Sequence, residues 1–93
     1  MAEIAKEKKR VAVSIFDQEY VVRSLEEEDY IQQLASFLDH KMREIHRMSP
    51  SLSAGKVAVL TALNLADELF KVRQEYEELL NLIEETKKGV GIK

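Results

Sequence analysis

Cysteine is absent from the chain, so disulfides, thiolate metal sites and cysteine nucleophiles are excluded. Tryptophan is absent too, and a single proline and three glycines leave little to interrupt regular structure. No apolar run approaches the roughly 20 residues that cross a bilayer, and Met1-Ala2-Glu3-Ile4 lacks the apolar core of a secretory signal. The expectation is a soluble, cytoplasmic protein without membrane contact. The glycines, Gly55, Gly89 and Gly91, follow no strand, so no phosphate-cradling loop and no nucleotide cofactor are expected. The two histidines, His40 and His46, lie six positions apart on one predicted helix. Their directions differ by about 240°, which prevents them from sharing a metal.

What remains is a chain of 93 residues, 45% hydrophobic and 33% charged. It is too apolar to be disordered, too charged to be a membrane protein, and long enough for one domain plus an extension. Net charge is −3, but residues 1 to 10 carry four basic and two acidic groups, so the body is acidic. The basic run Lys6-Glu7-Lys8-Lys9-Arg10 is short, interrupted by Glu7 and free of aromatics that would stack on bases, so it reads as a solvated tail and nucleic acid is not an expected partner.

From Lys9 to Phe16 the chain alternates, with Val11, Val13 and Ile15 on one face, as a half-buried strand requires. A second run spans Tyr20 to Arg23, and Asp17-Gln18-Glu19 between them has the length of a hairpin turn. Ser24 with Glu27 forms a capping box followed by acidic residues, which predicts a helix start at Ser24. Its stripe Ile31, Leu34, Ala35, Leu38, Met42 and Ile45 can cover the hairpin, which alone is marginal in water. Pro50 stops this helix near Met48, Ser53 caps a second, and nothing interrupts residues 56 to 88. At about 1.5 Å per residue the second helix is roughly 50 Å long, longer than so small a domain can cover.

Along that helix Ala58, Ala62, Leu65, Leu69, Val72, Tyr76, Leu79 and Ile83 alternate steps of four and three. This is a heptad seam, the pattern of a coiled coil. Its first half has company on other faces, Val57, Val59, Leu60, Leu63, Ala66 and Phe70, and is expected to pack both within its own chain and between chains. Beyond Val72 the hairpin and first helix are already used up. Leaving Val72, Tyr76, Leu79, Leu80, Leu82 and Ile83 in water forfeits roughly 10 kcal/mol, comparable to the stability of a whole domain. The partner is therefore expected to be a second copy, giving a homodimer. Leu80 and Leu82 widen the seam and point to a homotetramer, whereas Glu68 and Arg73 flank it without fixing strand direction.

The predicted fold class is α+β: an N-terminal β-hairpin packed on a helix, then a long C-terminal helix forming an intermolecular coiled coil. Its parts are a flexible tail at 1 to 8, a hairpin-and-helix head at 9 to 52, the long helix at 53 to 88 and a flexible end at 89 to 93. Self-association is expected at Ala62, Leu65, Leu69, Val72, Tyr76, Leu79, Leu80 and Ile83. Acidic clusters at Glu26 to Asp29, Glu77-Glu78 and Glu84-Glu85 are explained by capping and solvation, and no nucleophile stands beside a base. An enzyme is not expected. The pattern alone suits a bundling scaffold or, equally, a coiled-coil adaptor or regulatory subunit for another cytoplasmic partner.

Two segments carry more than composition: Asp39-His40-Lys41-Met42-Arg43-Glu44-Ile45 and Lys56-Val57-Ala58-Val59-Leu60-Thr61-Ala62-Leu63-Asn64-Leu65-Ala66-Asp67-Glu68-Leu69. With the hairpin Val13-Ser14-Ile15-Phe16-Asp17-Gln18-Glu19-Tyr20 they resemble the ZapA family of bacterial division proteins over residues 9 to 85. No cofactor is expected from the residues, and the resemblance implies dimers that pair into tetramers and FtsZ as partner at the midcell division ring, whose protofilaments the protein would cross-link. Contact with FtsZ would then use the exposed turn and the start of the second helix: Asp17, Gln18, Glu19, Arg23, Ser53 and Lys56. One departure is Asp17, where the family often has glycine.

Overall fold

The computed structural model describes residues 8–92, with side chains through Lys87. The tail expected at 1 to 8 therefore lies, apart from Lys8, outside the described residues. Four elements follow one another: strand β1 (Lys9–Ile15), strand β2 (Gln18–Ser24), helix α1 (Glu28–Met48) and helix α2 (Ala54–Ile92). The chain divides into two compact units, one ending at Thr61 and one beginning at Ala62.

In the first unit β1 and β2 pair antiparallel, with Val11 opposite Val22, Val13 opposite Tyr20 and Ile15 opposite Gln18. The alternation seen in sequence decides which side is covered: Val11 and Val13 are buried while Ala12 and Ser14 face solvent. Helix α1 covers that face with Ile31 and Ala35, and Ile15 and Val22 pack against the same cluster. Met42 is buried further along, Leu38 and Ile45 are half-buried, and Leu34 is more exposed than its place in the stripe predicts. At the end of the unit Val57 and Thr61 are fully buried, and the Thr61 hydroxyl donates to the Val57 carbonyl at 2.7 Å.

Three boundaries differ from expectation. The hairpin turn is the two-residue loop Phe16-Asp17, not Asp17-Gln18-Glu19, and Gln18 and Glu19 are already in β2. Both turn residues have positive φ, 53° and 65°, the handedness that matches the twist of paired strands. Helix α1 starts at Glu28 rather than Ser24. Ser24 ends β2, and its hydroxyl accepts the Glu26 N–H at 2.9 Å, so it shapes the connecting bend, while Glu27 caps the helix without a side-chain bond. Helix α2 continues to Ile92, past the expected end at Lys88, because a glycine costs a helix only about 1 kcal/mol and does not by itself stop one. The proline break stands where predicted: α1 ends at Met48, just before Ser49-Pro50. Ser53 caps α2, its hydroxyl accepting the Lys56 N–H at 3.3 Å and its carbonyl the Val57 N–H at 2.9 Å.

Candidate functional site

Two surfaces stand out, one in each unit. The first is the hairpin turn, which is held from outside. A bulky residue such as Phe16 is strained at positive φ. Two residues one helical turn apart on α1 hold the turn in place. Asp39 Oδ1 accepts the Phe16 N–H at 2.6 Å, and its other oxygen accepts from Arg43 Nε at 3.0 Å. Arg43 reaches on to Asp17 Oδ1 at 2.8 Å. The Phe16 ring lies edge-on to His46, with centroids 5.5 Å apart, and the Arg43 guanidinium stands 5.7 Å from its centre. The Arg43 bond, joined by the Phe16 N–H, holds the Asp39 carboxyl below its ordinary range, and the two carboxylates push Arg43 further toward its charged form.

This geometry gives a role to residues that the sequence marked only by resemblance. Asp39 and Arg43 clamp the turn, and the signal that could have revealed it is their i,i+4 spacing of opposite charges. Of the expected partner-binding residues, Asp17 sits in the turn with its carboxylate engaged by Arg43, and Gln18, Glu19 and Arg23 are exposed along β2. Ser53 and Lys56 form a separate group at the start of α2. There they line an open apolar depression of about 450 Å³ with Leu52, Gly55, Val59 and Leu60. The two histidines have different neighbours: His40 Nε2 lies 3.2 Å from Glu44, and His46 meets Phe16.

The second surface is the helix from Ala62 onward. Among the described side chains of this unit none is buried, and only Leu65 is half-buried. The seam residues Leu69, Val72, Tyr76, Leu79 and Ile83 are exposed by 54%, 60%, 62%, 54% and 46%. Leu80 and Leu82 are exposed beside them. Polar pairs stabilise the helix elsewhere: Lys71 with Asp67 at 3.1 Å, and Arg73 stacked 5.6 Å from the Phe70 ring. A scattered exposed leucine needs no explanation, but a continuous stripe of them marks an interaction site. Among the described residues no cluster of potential ligands could hold a metal, and no helix is long and apolar enough to cross a membrane.

Comparison with known proteins agrees with this geometry. Residues 11–90 match the profile of the family described as "Cell division protein ZapA". A curated protein of that name from Geobacillus sp. (strain WCH70) is 40% identical over 81 residues, covering 87% of this chain and 93% of the relative. Another, from Shouchella clausii, is 46% identical over 70 residues, 75% of this chain and 90% of the relative. Among solved structures, "ZapA mutant dimer from Geobacillus stearothermophilus" superposes with a TM-score of 0.66 at 38% identity, covering 83% of this chain and 90% of that one.

Proposed function

The chain belongs to the ZapA family of cell division proteins, which are non-enzymatic, and on that footing we propose that it self-associates and cross-links FtsZ protofilaments at the midcell ring. The observation that carries the reading is the uncovered stripe on α2. About half of each seam side chain faces water, so covering Leu69, Val72, Tyr76, Leu79 and Ile83 recovers roughly 4–8 kcal/mol per protomer, about twice that for a pair. Association costs about 4–15 kcal/mol in lost freedom. Ala62, Leu65 and Leu80 extend the same face and tip the balance toward a stable homodimer. The breadth given by Leu80 and Leu82 supports pairing of dimers into a homotetramer, and a solved relative described as a dimer supports the first step.

In this reading FtsZ is met by the first unit, with Asp17, Gln18, Glu19, Arg23, Ser53 and Lys56 as the candidate contacts. The clamp by Asp39 and Arg43 fixes the turn before binding, which lowers the ordering cost of contact. Several copies of one weak contact in a single assembly then give strong bundling by raising the effective concentration of the second contact.

Sedimentation of GTP-assembled FtsZ with and without the protein tests this. Co-pelleting and thicker bundles are expected, weakening as salt rises if charges dominate the contact. Failure to co-pellet at low and moderate salt would favour instead a coiled-coil adaptor for another partner.

A further inference from the structure

The two edges of the hairpin are not alike. Ile15 and Gln18 flank a two-residue loop and are therefore a bonded pair, and bonded pairs alternate with non-bonded ones along an antiparallel ladder. Arg10, Ala12 and Ser14 on β1, and Glu19, Val21 and Arg23 on β2, consequently aim their backbone N–H and C=O groups outward. On β1 the central outward carbonyl is engaged: Gln32 Nε2 donates to the Ala12 carbonyl at 2.9 Å. On β2 no described group bonds the outward backbone of Glu19, Val21 or Arg23. The strand has no proline, lysine or bulge along this edge, and its only charges there, Glu19 and Arg23, are of opposite sign.

The sequence of β2 is also self-complementary about its midpoint. With Val21 at the centre, Glu19 and Arg23 stand two positions to either side, and Tyr20 and Val22 one position to either side. We infer that β2 pairs antiparallel with β2 of a second copy about a two-fold axis through Val21, joining two hairpins into one four-stranded sheet. That register sets each Glu19 opposite Arg23 of the other copy and each Tyr20 opposite Val22, and adds about six backbone hydrogen bonds.

Three features of the single chain fit this occupant. Glu19 and Arg23 have no ion-pair partner among the described residues, and within its own hairpin Arg23 faces Arg10, a like charge. A second Glu19 beside Arg23 supplies the missing carboxylate. Val21 is 58% exposed at the centre of the pairing. Tyr20 is 50% exposed although it lies on the core-facing side, and its ring borders an open apolar depression shared with Val22, Leu38 and Met42. A neighbouring strand would cover both. An acidic or basic peptide would satisfy only one of the two charges, whereas a copy of β2 satisfies both. The inference does not require FtsZ, and where it holds the candidate FtsZ contacts narrow to Asp17, Gln18, Ser53 and Lys56.

Because the chain has no cysteine, Val21→Cys gives an unambiguous test. At the two-fold axis the two Cα atoms would stand about 5.5 Å apart, within disulfide reach. Mild oxidation of the full-length variant should yield a disulfide-linked dimer on non-reducing gels, while Ala12→Cys, on the β1 edge where Gln32 holds the carbonyl, should not. Adding Glu19→Arg should slow cross-linking about tenfold, and adding Arg23→Glu as well should restore it. Val21→Pro removes only an outward N–H, so it should keep the fold by circular dichroism yet raise the dissociation constant of the assembly. Absence of the cross-link in a Val21→Cys protein that light scattering shows to be associated would overturn the edge pairing and leave helix-mediated association standing. Cross-linking that ignores both charge changes would overturn the register.

Discussion

Replacing Leu69 and Leu79 together by glutamate should dissolve the assembly without unfolding the chain. Each leucine is 54% exposed in the single chain, so covering it recovers roughly 1 kcal/mol, about 4 kcal/mol over the four positions of a dimer. The substitution forfeits that and also asks four carboxylates to enter an apolar seam, each costing at least about 2 kcal/mol without a partner. The total, about 12 kcal/mol, corresponds to a rise of roughly nine powers of ten in the dissociation constant at 1.4 kcal/mol per decade. No workable concentration would then restore the dimer. Glutamate is a good helix former and the positions are exposed in the monomer, so the helical circular dichroism should persist apart from the share contributed by pairing. Light scattering coupled to gel filtration is the assay, with bundling of FtsZ lost in parallel. A double variant that elutes with the wild-type mass would refute the assignment of the seam.

Other expectations concern the first unit. Asp39→Asn should lower the thermal midpoint, because it removes a charge held by Arg43 and weakens the acceptor for the Phe16 N–H. The Asp39 carboxyl titrates below its ordinary value near 3.8, so its contribution is full above that value and is lost as pH falls from there through the lower folded-state value. Urea midpoints of wild type and Asp39→Asn should thus differ by a constant amount near neutral pH and converge in acid. Asp17→Gly should leave the midpoint unchanged or raise it by a few degrees, since glycine adopts φ of 65° without strain and the exposed pair it removes contributes little. Val57→Ala, at a fully buried site, should cost roughly 1.5–3 kcal/mol by chemical denaturation, whereas Val59→Ala, at an exposed one, should stay within about 0.5 kcal/mol.

Much of this fold was legible because it depends on local pattern. The alternation of Val11 and Val13, the stop before Pro50, the Ser53 cap and the period of α2 each follow from residues within one element. The boundaries that moved depend on residues elsewhere. Alternation alone places Phe16 at the end of a strand, and only Asp39 and Arg43, more than 20 positions away, hold it in a turn with positive φ. Ser24 has the chemistry of a helix cap, but pairing with Lys9 keeps it in β2. The spacing of Leu69, Val72, Tyr76, Leu79 and Ile83 identified a face in need of cover, and those residues do lie uncovered. The outer edge of β2 was not legible, since which backbone groups point outward follows from the register and hence from the turn.

Sedimentation equilibrium of the unmodified protein across low-micromolar concentrations tests the central claim most directly. The account predicts a mass of two or four times 10.7 kDa, with dissociation only on extended dilution. A single species of 10.7 kDa at those concentrations, with full helical signal, would contradict it.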